Sequence, residues 1–543
     1  MPDNKGHFSE RREQEKKDIV VFMRVLWAMA MLCCWVDGRR HAPAGTMAEK
    51  AATRRRALIA SATHAMDLAA TKRILPWVVA TALFMEQLDS TIVNTGIPAM
   101  AASLHVTPLS LKAVVTSYIL SLAVCIPVSG WLAERYGSRR VFMFAIGLFT
   151  VSSVACGLAV NASMLVAARV PQGVAAAMMM PVGRMVIVRT FPKAELLRAM
   201  NFVIIPALIG PLLGPTVGGL IVHWLSWREI FFVNVPVGLV ALWLGRRYMP
   251  DYRSAAPPPL DVPGLALFGS GAALLSWLLE VFGEHELPAL QAFVLLLVSI
   301  ALLAAYVWHA LRAPFPLLRL SLFRVRTFRV SVLGGFVTRL GVGGLPFLLP
   351  LLYQLGLGMP AWQSGLMMMP AAAAAMAMKV ISSPLLRRFG YRQVLVVNTV
   401  LIGCTIACYA LVVPGTPVVL IVLIGLALGL FNSLQFSSMN TMAYADIDEA
   451  DSAMASTMAS TLQQMSFSFG LACGSLVTAF YLAGLPQTDQ PAVASALHHA
   501  FITLAVLTVV SSLSFWTLRP NDGESVSKGK VAQQKAAAAG TPV

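Results

Sequence analysis

Between residues 74 and 517 the chain alternates long apolar runs with short polar breaks. The runs occupy 74–99, 111–132, 141–160, 163–187, 200–223, 229–247, 263–282, 290–310, 330–353, 361–383, 393–413, 416–437, 453–483 and 497–517. Each has roughly the 20 residues that an α-helix needs to cross ~30 Å of hydrocarbon. The pattern predicts an all-α membrane protein with fourteen transmembrane helices.

The two ends read differently. Residues 1–73 carry 14 Lys/Arg and 8 Asp/Glu, and their one apolar island, Ile19 to Val36, is interrupted by Arg24. A helix there would make fifteen spans and move the N-terminus outside. We therefore read 1–73 as a cytoplasmic extension, disordered or lying upstream of a true start at Met47 or Met66. The island runs into Asp37-Gly38-Arg39-Arg40, with no small-residue cleavage site, which argues against a signal peptide. Residues 519–543 are polar, Lys- and Ala-rich, and are expected to form a disordered cytoplasmic tail.

Composition agrees: 57% of residues are apolar and 12% charged, against about a quarter charged in a soluble domain. The net charge of +16 follows from topology. One set of alternate loops holds Arg135, Arg139, Arg140, Arg189, Lys193, Arg198, Arg246, Arg247, Arg253, Arg312, Arg319, Arg324, Arg326, Arg329, Arg387, Arg388 and Arg392. The other set holds Lys112 and Arg228. The positive-inside rule then places both termini in the cytoplasm. No basic stretch is interleaved with aromatics, so no nucleic-acid partner is expected. The seven cysteines form no Cys-x-x-Cys pair and no metal-ligand cluster with histidine. A phosphate-binding Gly-x-x-x-x-Gly-Lys-Ser/Thr loop is also missing. We expect no enzyme activity, no cofactor and no metal.

The polar residues inside the apolar runs carry the chemistry. Asp89 sits in the middle of the first run, where a carboxylate costs several kcal/mol and is read as functional. Glu86 lies three residues earlier, on the same helical face. Two acids on one face suggest proton handling. Arg169, in the fourth run, cannot lose its proton and needs a nearby anion, either Asp89 or Glu86. It is a coupling residue or simply a structural ion-pair partner. In the second half, Arg339 is placed as a cavity residue or a packed cation. Lys379 is either a cavity cation or one that snorkels to the interface. Asn94, Gln172, Gln463 and Gln464 are further candidates for a substrate cavity. Met clusters at 178–180 and 367–369 suit promiscuous apolar binding, and suit ordinary packing equally well.

The polar break after the second run reads Gly130-Trp131-Leu132-Ala133-Glu134-Arg135-Tyr136-Gly137-Ser138-Arg139-Arg140. Its glycines permit a tight turn and close helix approach. Its charges can pair with neighbouring helix ends as a conformational latch. Arg387-Arg388-Phe389-Gly390-Tyr391-Arg392 looks like a degenerate second copy, as expected of two six-helix halves around a midplane site. In the fifth run Gly210, Gly214 and Gly218 recur every four positions, with Pro215 and Gly219 beside them. That spacing allows close packing and a proline bend, with or without a specific transport role.

Together these motifs resemble the major facilitator superfamily, and within it the fourteen-helix drug/proton antiporters. The 130–140 loop is similar to that superfamily's signature between helices two and three, with Glu134 where Asp is usual. Leu88 to Asn94 with Pro98, Ala168-Arg169-Val170-Pro171-Gln172-Gly173, Gly210 to Gly219, and Trp227 to Gly238 resemble the first-, fourth-, fifth- and sixth-helix motifs. Met178 to Pro181 and Phe436 to Thr441 resemble bacterial multidrug resistance proteins of the MdtD/HsrA kind.

The resemblance implies a major facilitator fold over 74–518. It comprises an N-terminal six-helix half at 74–247, two extra central helices at 263–310 and a C-terminal six-helix half at 330–518. It implies a monomeric proton-coupled antiporter of the bacterial inner membrane, exporting amphipathic drugs or toxic organic compounds. Protons would pass through the Asp89, Glu86 and Arg169 region. Related chains usually carry an uncharged residue at position 86, so Glu86 would add a proton site or favour cationic substrates. A specific metabolite carrier and a non-transporting sensor are the rival readings. The extension and a periplasmic adaptor stay open.

Overall fold

The computed structural model describes residues 48–254, 259–282, 288–448, 451–482, 490–519 and 522. Each of the fourteen expected runs coincides with helix. They are α1 Ala48–Leu104, α2 Lys112–Tyr136, α3 Ser138–Gly157, α4 Ala162–Thr190 and α5 Lys193–Trp224. Next come α6 Glu229–Tyr248, α7 Val262–Phe282, α8 Ala289–Ala310 and α9 Arg326–Gly356. The last five are α10 Ala361–Phe389, α11 Tyr391–Cys408, α12 Val418–Ala443, α13 Ser452–Tyr481 and α14 Gln490–Ser511. Among the described residues, 11 helices are long and apolar enough to cross a membrane. The exceptions are α1 and α13, which carry polar stripes, and α5, whose apolar stretch is Ile209–Trp224.

Two expected boundaries differ. The first helix begins at Ala48, well before residue 74, because the intervening stretch is Ala-rich and contains neither Gly nor Pro before Pro76. The extension is therefore helical from residue 48. Its island at 19–36 lies outside the described residues, as does the tail beyond residue 522. The ninth helix is interrupted by π turns at Val330–Gly334 and Leu352–Gly356.

The helices pack as two copies of one plan. In the first half α1 lies on α5 and α6, α2 on α4, and α3 on α4 and α6. In the second, α9 lies on α13 and α14, α10 on α12, and α11 on α12 and α14. Two reciprocal seams join the halves, α2 with α13 and α5 with α10. The additional pair α7 and α8 packs together, with α7 against α2 and α13. The repeat extends to the loops: Gly137 before α3 and Gly390 before α11 both adopt positive φ, 99° and 74°, a conformation that favours glycine.

The cores are unequal at the two ends. Away from the arginine-rich loops, one continuous core joins both halves, including Ile92, Val114 and Phe231 with Phe347, Ile406 and Phe501. Toward those loops each half has its own core, around Phe142 and Val182 in one and Leu395 and Phe515 in the other. A third core ties α2 to α7 and α13 there.

Removing residues 1–65 should preserve insertion, since a chain starting at Met66 keeps Arg73 and also Lys72, whose Nζ lies 3.3 Å from Glu195 on α5. A reporter fused to the new N-terminus is expected on the cytoplasmic side, with folded protein at full-length yield. A reporter on the periplasmic side, or loss of folded protein, would make the extension a required element.

Candidate functional site

Asp89 and Arg169 meet at the centre of the first half. The Arg169 Nη1 to Asp89 Oδ2 distance is 2.6 Å, and the two side chains are 1% and 0% exposed. Asp89 was one of two expected partners for Arg169; among the described residues it is the one that pairs with it. Each charge has further partners. Asp89 Oδ1 accepts hydrogen bonds from Gln172 Nε2 at 3.0 Å and Asn234 Nδ2 at 2.8 Å. Arg169 donates to Gln172 Oε1 at 2.7 Å and, through Nε, to the Val114 carbonyl at 3.1 Å. Its guanidinium stands 4.2 Å from the Tyr118 ring centroid. Ser153 Oγ accepts from both Gln172 and Asn234. Five helices, α1, α2, α3, α4 and α6, thus contribute to one buried polar network.

The α5 motif supports this network from behind. A Cβ on Gly210 would meet the Gln87 side chain and the Leu88 backbone, one on Gly214 would meet Thr91, and one on Gly218 the Ile92 carbonyl. These three glycines let α5 lie backbone-close on the Gln87–Ile92 stretch that carries Asp89. Gly219 faces the other way, onto the Ala361 carbonyl of α10, while Gly365 of α10 meets Pro215. Thr216 Oγ1 donates to the Gly365 carbonyl at 3.2 Å across the same seam. One motif therefore touches both the charged helix and the other half.

Other candidates fall elsewhere. Glu86 is 5% exposed and stands outside the Asp89 network, and its Oε2 has no hydrogen-bond partner. Its charged neighbours are Arg184 of α4 and Asp89. Gln172 and Asn94, expected to line a cavity, are buried: Gln172 is a network member, and Asn94 donates to the Ser90 carbonyl of its own helix at 3.4 Å. Gln172 is drawn inward because buried polar partners need satisfying, whereas the Asn94 Oδ1 is itself buried without a hydrogen-bond partner. Arg339 is buried on α9, while Gln463 and Gln464 are half-buried on α13.

The charges of the 130–140 loop find their partners within the first half. Glu134 Oε1 lies 3.7 Å from Arg189 Nη2, both more than a third exposed, a geometry worth about 0–1 kcal/mol. The Arg139 backbone N–H donates to Asp251 Oδ1 at 3.0 Å, and its guanidinium to the Arg246 carbonyl. A Cβ on Gly137 would strike the Asp251 carboxylate, so that glycine is required twice, by contact and by φ. Gly130 is the exception to the expected close approach, as nothing lies within 4 Å of a Cβ there. Arg135 is half-buried and Arg140 exposed.

Sequence reasoning missed Asn234, Ser153, Tyr118 and Arg184. Arg184 was legible as a second cation, beside Arg169, in the fourth apolar run, and Asn234 as a lone amide in the sixth. Ser153 and Tyr118 gave no signal, because hydroxyls are common in membrane helices.

The family model of the Major Facilitator Superfamily matches residues 79–471. A protein named MdtD for multidrug resistance in Serratia proteamaculans is 37% identical, covering 81% of this chain and 92% of its own length. The MdtD of Yersinia enterocolitica is 38% identical over 81% of this chain and 93% of its own. Among solved structures, a D-xylose–proton symporter matches with a TM-score of 0.60 at 14% identity, over 82% of this chain and 98% of its own. A POT family transporter in complex with 5-aminolevulinic acid gives 0.60 at 15%, over 82% and 96%. At such identities these two structures show the fold alone.

Removing one partner of a buried, hydrogen-bonded ion pair costs about 3–5 kcal/mol, because the other charge is stranded. Asp89→Asn and Arg169→Gln should each lower the melting temperature of the purified protein in detergent. The double variant should be more stable than the sum of the single losses requires. Strict additivity in that cycle would remove the ion pair as an organising contact.

Proposed function

Because the chain belongs to the Major Facilitator Superfamily and is a multi-pass membrane transporter, we propose that it is a proton-coupled exporter of amphipathic organic compounds. The bacterial inner membrane is its site, with both termini cytoplasmic. The observation that carries the reading is the division of labour between two acids three residues apart. Asp89 has its charge matched by Arg169 and its oxygens engaged by Gln172 and Asn234. A proton arriving there must displace partners. Glu86 makes no ion pair among the described residues and its Oε2 has no hydrogen-bond partner, though Arg184 lies nearby, and an unpaired carboxylate out of water is expensive while a protonated one is cheap. Glu86 is accordingly the proton carrier, and Asp89 with Arg169 is the structural element that senses and holds it.

Two further features support this assignment. Tyr118 Oη is a second buried polar atom without a hydrogen-bond partner, and it lies in the electrostatic field of both Glu86 and Asp89. Orphaned polar atoms near one another are what a short water-mediated proton path would satisfy. Arg184, also near Glu86, has Tyr444 of the second half as its other electrostatic neighbour.

The unequal cores fit a carrier in one of its two alternating states. The shared core and the Gly219–Ala361 and Gly365–Pro215 contacts close the end away from the basic loops. Gln354 Nε2 adds a hydrogen bond to the Thr95 carbonyl at 3.0 Å on that same side. With the basic loops inside, this is a state closed to the periplasm, from which cytoplasmic substrate would load.

The test is uptake of a panel of anionic, neutral and cationic fluorescent dyes into inverted vesicles with an acidified lumen. At least one dye should accumulate faster than in vesicles without the protein, and collapse of the gradient should abolish the difference. Glu86→Gln should reduce gradient-driven uptake about tenfold or more, the scale typical for a positioned proton-transfer group, while its melting temperature stays at or above wild type. Wild-type uptake by the Gln variant would exclude Glu86 as the carrier. Uptake indifferent to the gradient would exclude proton coupling altogether.

A further inference from the structure

The second half treats charge differently from the first. From Arg326 to Ala443, in 452–482 and in 490–517, there is no Asp or Glu at all. Away from their arginine-bearing ends, its membrane helices nevertheless carry Arg339 on α9 and Lys379 on α10. Arg339 is only 8% exposed, yet no carboxylate pairs with it and no hydrogen bond from its guanidinium is found among the described residues. The contrast with Arg169, matched by Asp89, is complete.

What surrounds Arg339 is aromatic. Its guanidinium carbon stands 5.9 Å from the Phe436 ring centroid and 5.6 Å from that of Phe467. Lys379 Nζ approaches the same Phe436 ring to 5.3 Å and donates to Ser437 Oγ at 3.0 Å. Two cations from different helices therefore converge on one half-buried phenyl ring. Ring faces at these distances offset only part of the cost of burying an ionised guanidinium. The position is also rigidly built. Gly335, one turn earlier, leaves room for the guanidinium, and Gly470 of α13 seats closely against the Arg339 carbonyl.

We propose that Arg339 and Lys379, with Phe436 and Phe467, form an anion-binding pole of the substrate site. The substrate class is then an aromatic or otherwise amphipathic organic anion, such as an arenesulfonate or aryl carboxylate. The substrate supplies the counter-ion that the second half lacks. Its oxygens accept from the guanidinium fork and the ammonium, and its apolar body lies on the phenyl rings. This deepens the export reading and rests on it for physiological meaning, but direct binding is independent of proton coupling.

The experiment measures binding, without any gradient, to the full chain in phosphatidylcholine nanodiscs at neutral pH. The probes are naphthalenesulfonate and the neutral naphthalenesulfonamide, followed by intrinsic tryptophan fluorescence. Wild type should prefer the sulfonate about tenfold or more, the scale of one charge-assisted contact. Arg339→Gln should erase that preference and leave sulfonamide binding within about twofold, and Lys379→Gln should weaken it by a smaller factor. Arg339→Lys should keep part of it, and if Arg339→Gln fails to fold, Arg339→Lys and Lys379→Gln carry the test. Equal affinity of wild type for the two probes, or an unchanged preference in the Gln variants, overturns the proposal. Inorganic phosphate competing as well as the sulfonate would make this a small-anion site and overturn the amphipathic class. Loss of sulfonate binding when phosphatidylglycerol is added to the discs would assign the cations to lipid headgroups. Loss of vesicle uptake with this binding intact would strike the export reading alone.

Discussion

The buried pair of Asp89 and Arg169 is the contact around which the first half is organised. An ionised guanidinium in a low-dielectric interior has a desolvation cost that one carboxylate offsets only when the remaining donors and acceptors are also engaged. That requirement recruits Gln172 and Ser153, Asn234, and the Val114 carbonyl, which belong to four different helices. Satisfying one charge fixes the relative positions of five of the six helices. Polar satisfaction here acts as a registration device, because shifting any one helix strands a charge.

The small-residue stripe of α5 is the mechanical complement. The network holds α1 from the side of α2, α3, α4 and α6, while Gly210, Gly214 and Gly218 hold it from the opposite side by close backbone approach. Pro215 and Gly219 extend that helix into the seam with α10. A movement of α1 by even a fraction of an ångström has no slack to absorb it on the α5 side. The displacement is passed to the interface between the halves, as close-packed contacts require. The Asp89 site and the interface between the halves are thus joined through the contacts of α1 with α5 and of α5 with α10.

The repeated plan of the two halves makes their chemical difference informative. Matching helix contacts and matching positive-φ glycines, Gly137 and Gly390, set the same scaffold twice. Within its membrane helices one copy holds carboxylates and a paired cation, while the helices of the other hold cations and no carboxylate. In the first half the buried carboxylates Asp89 and Glu86 have Arg169 and Arg184 close by, whereas Arg339 in the second half has no carboxylate beside it among the described residues.

Much of this was legible in the amino-acid sequence. Fourteen apolar runs and the basic loops between them follow from residue hydrophobicity and charge, which act locally and survive any detail of packing. Asp89, Glu86 and Arg169 stood out because charge in hydrocarbon is costly wherever it lies. What one dimension could not decide was pairing. Asp89 and Glu86 are equivalent partners for Arg169 by helical spacing, and only the packing of α1 against α4 and α6 chose Asp89 and left Glu86 Oε2 alone. Gln172 and Asn94 read as cavity residues and proved buried, because an amide's exposure depends on what the neighbouring helix presents. Hydrophobicity is a property of a residue, whereas satisfaction of a charge is a property of several helices at once, and that is settled only in three dimensions.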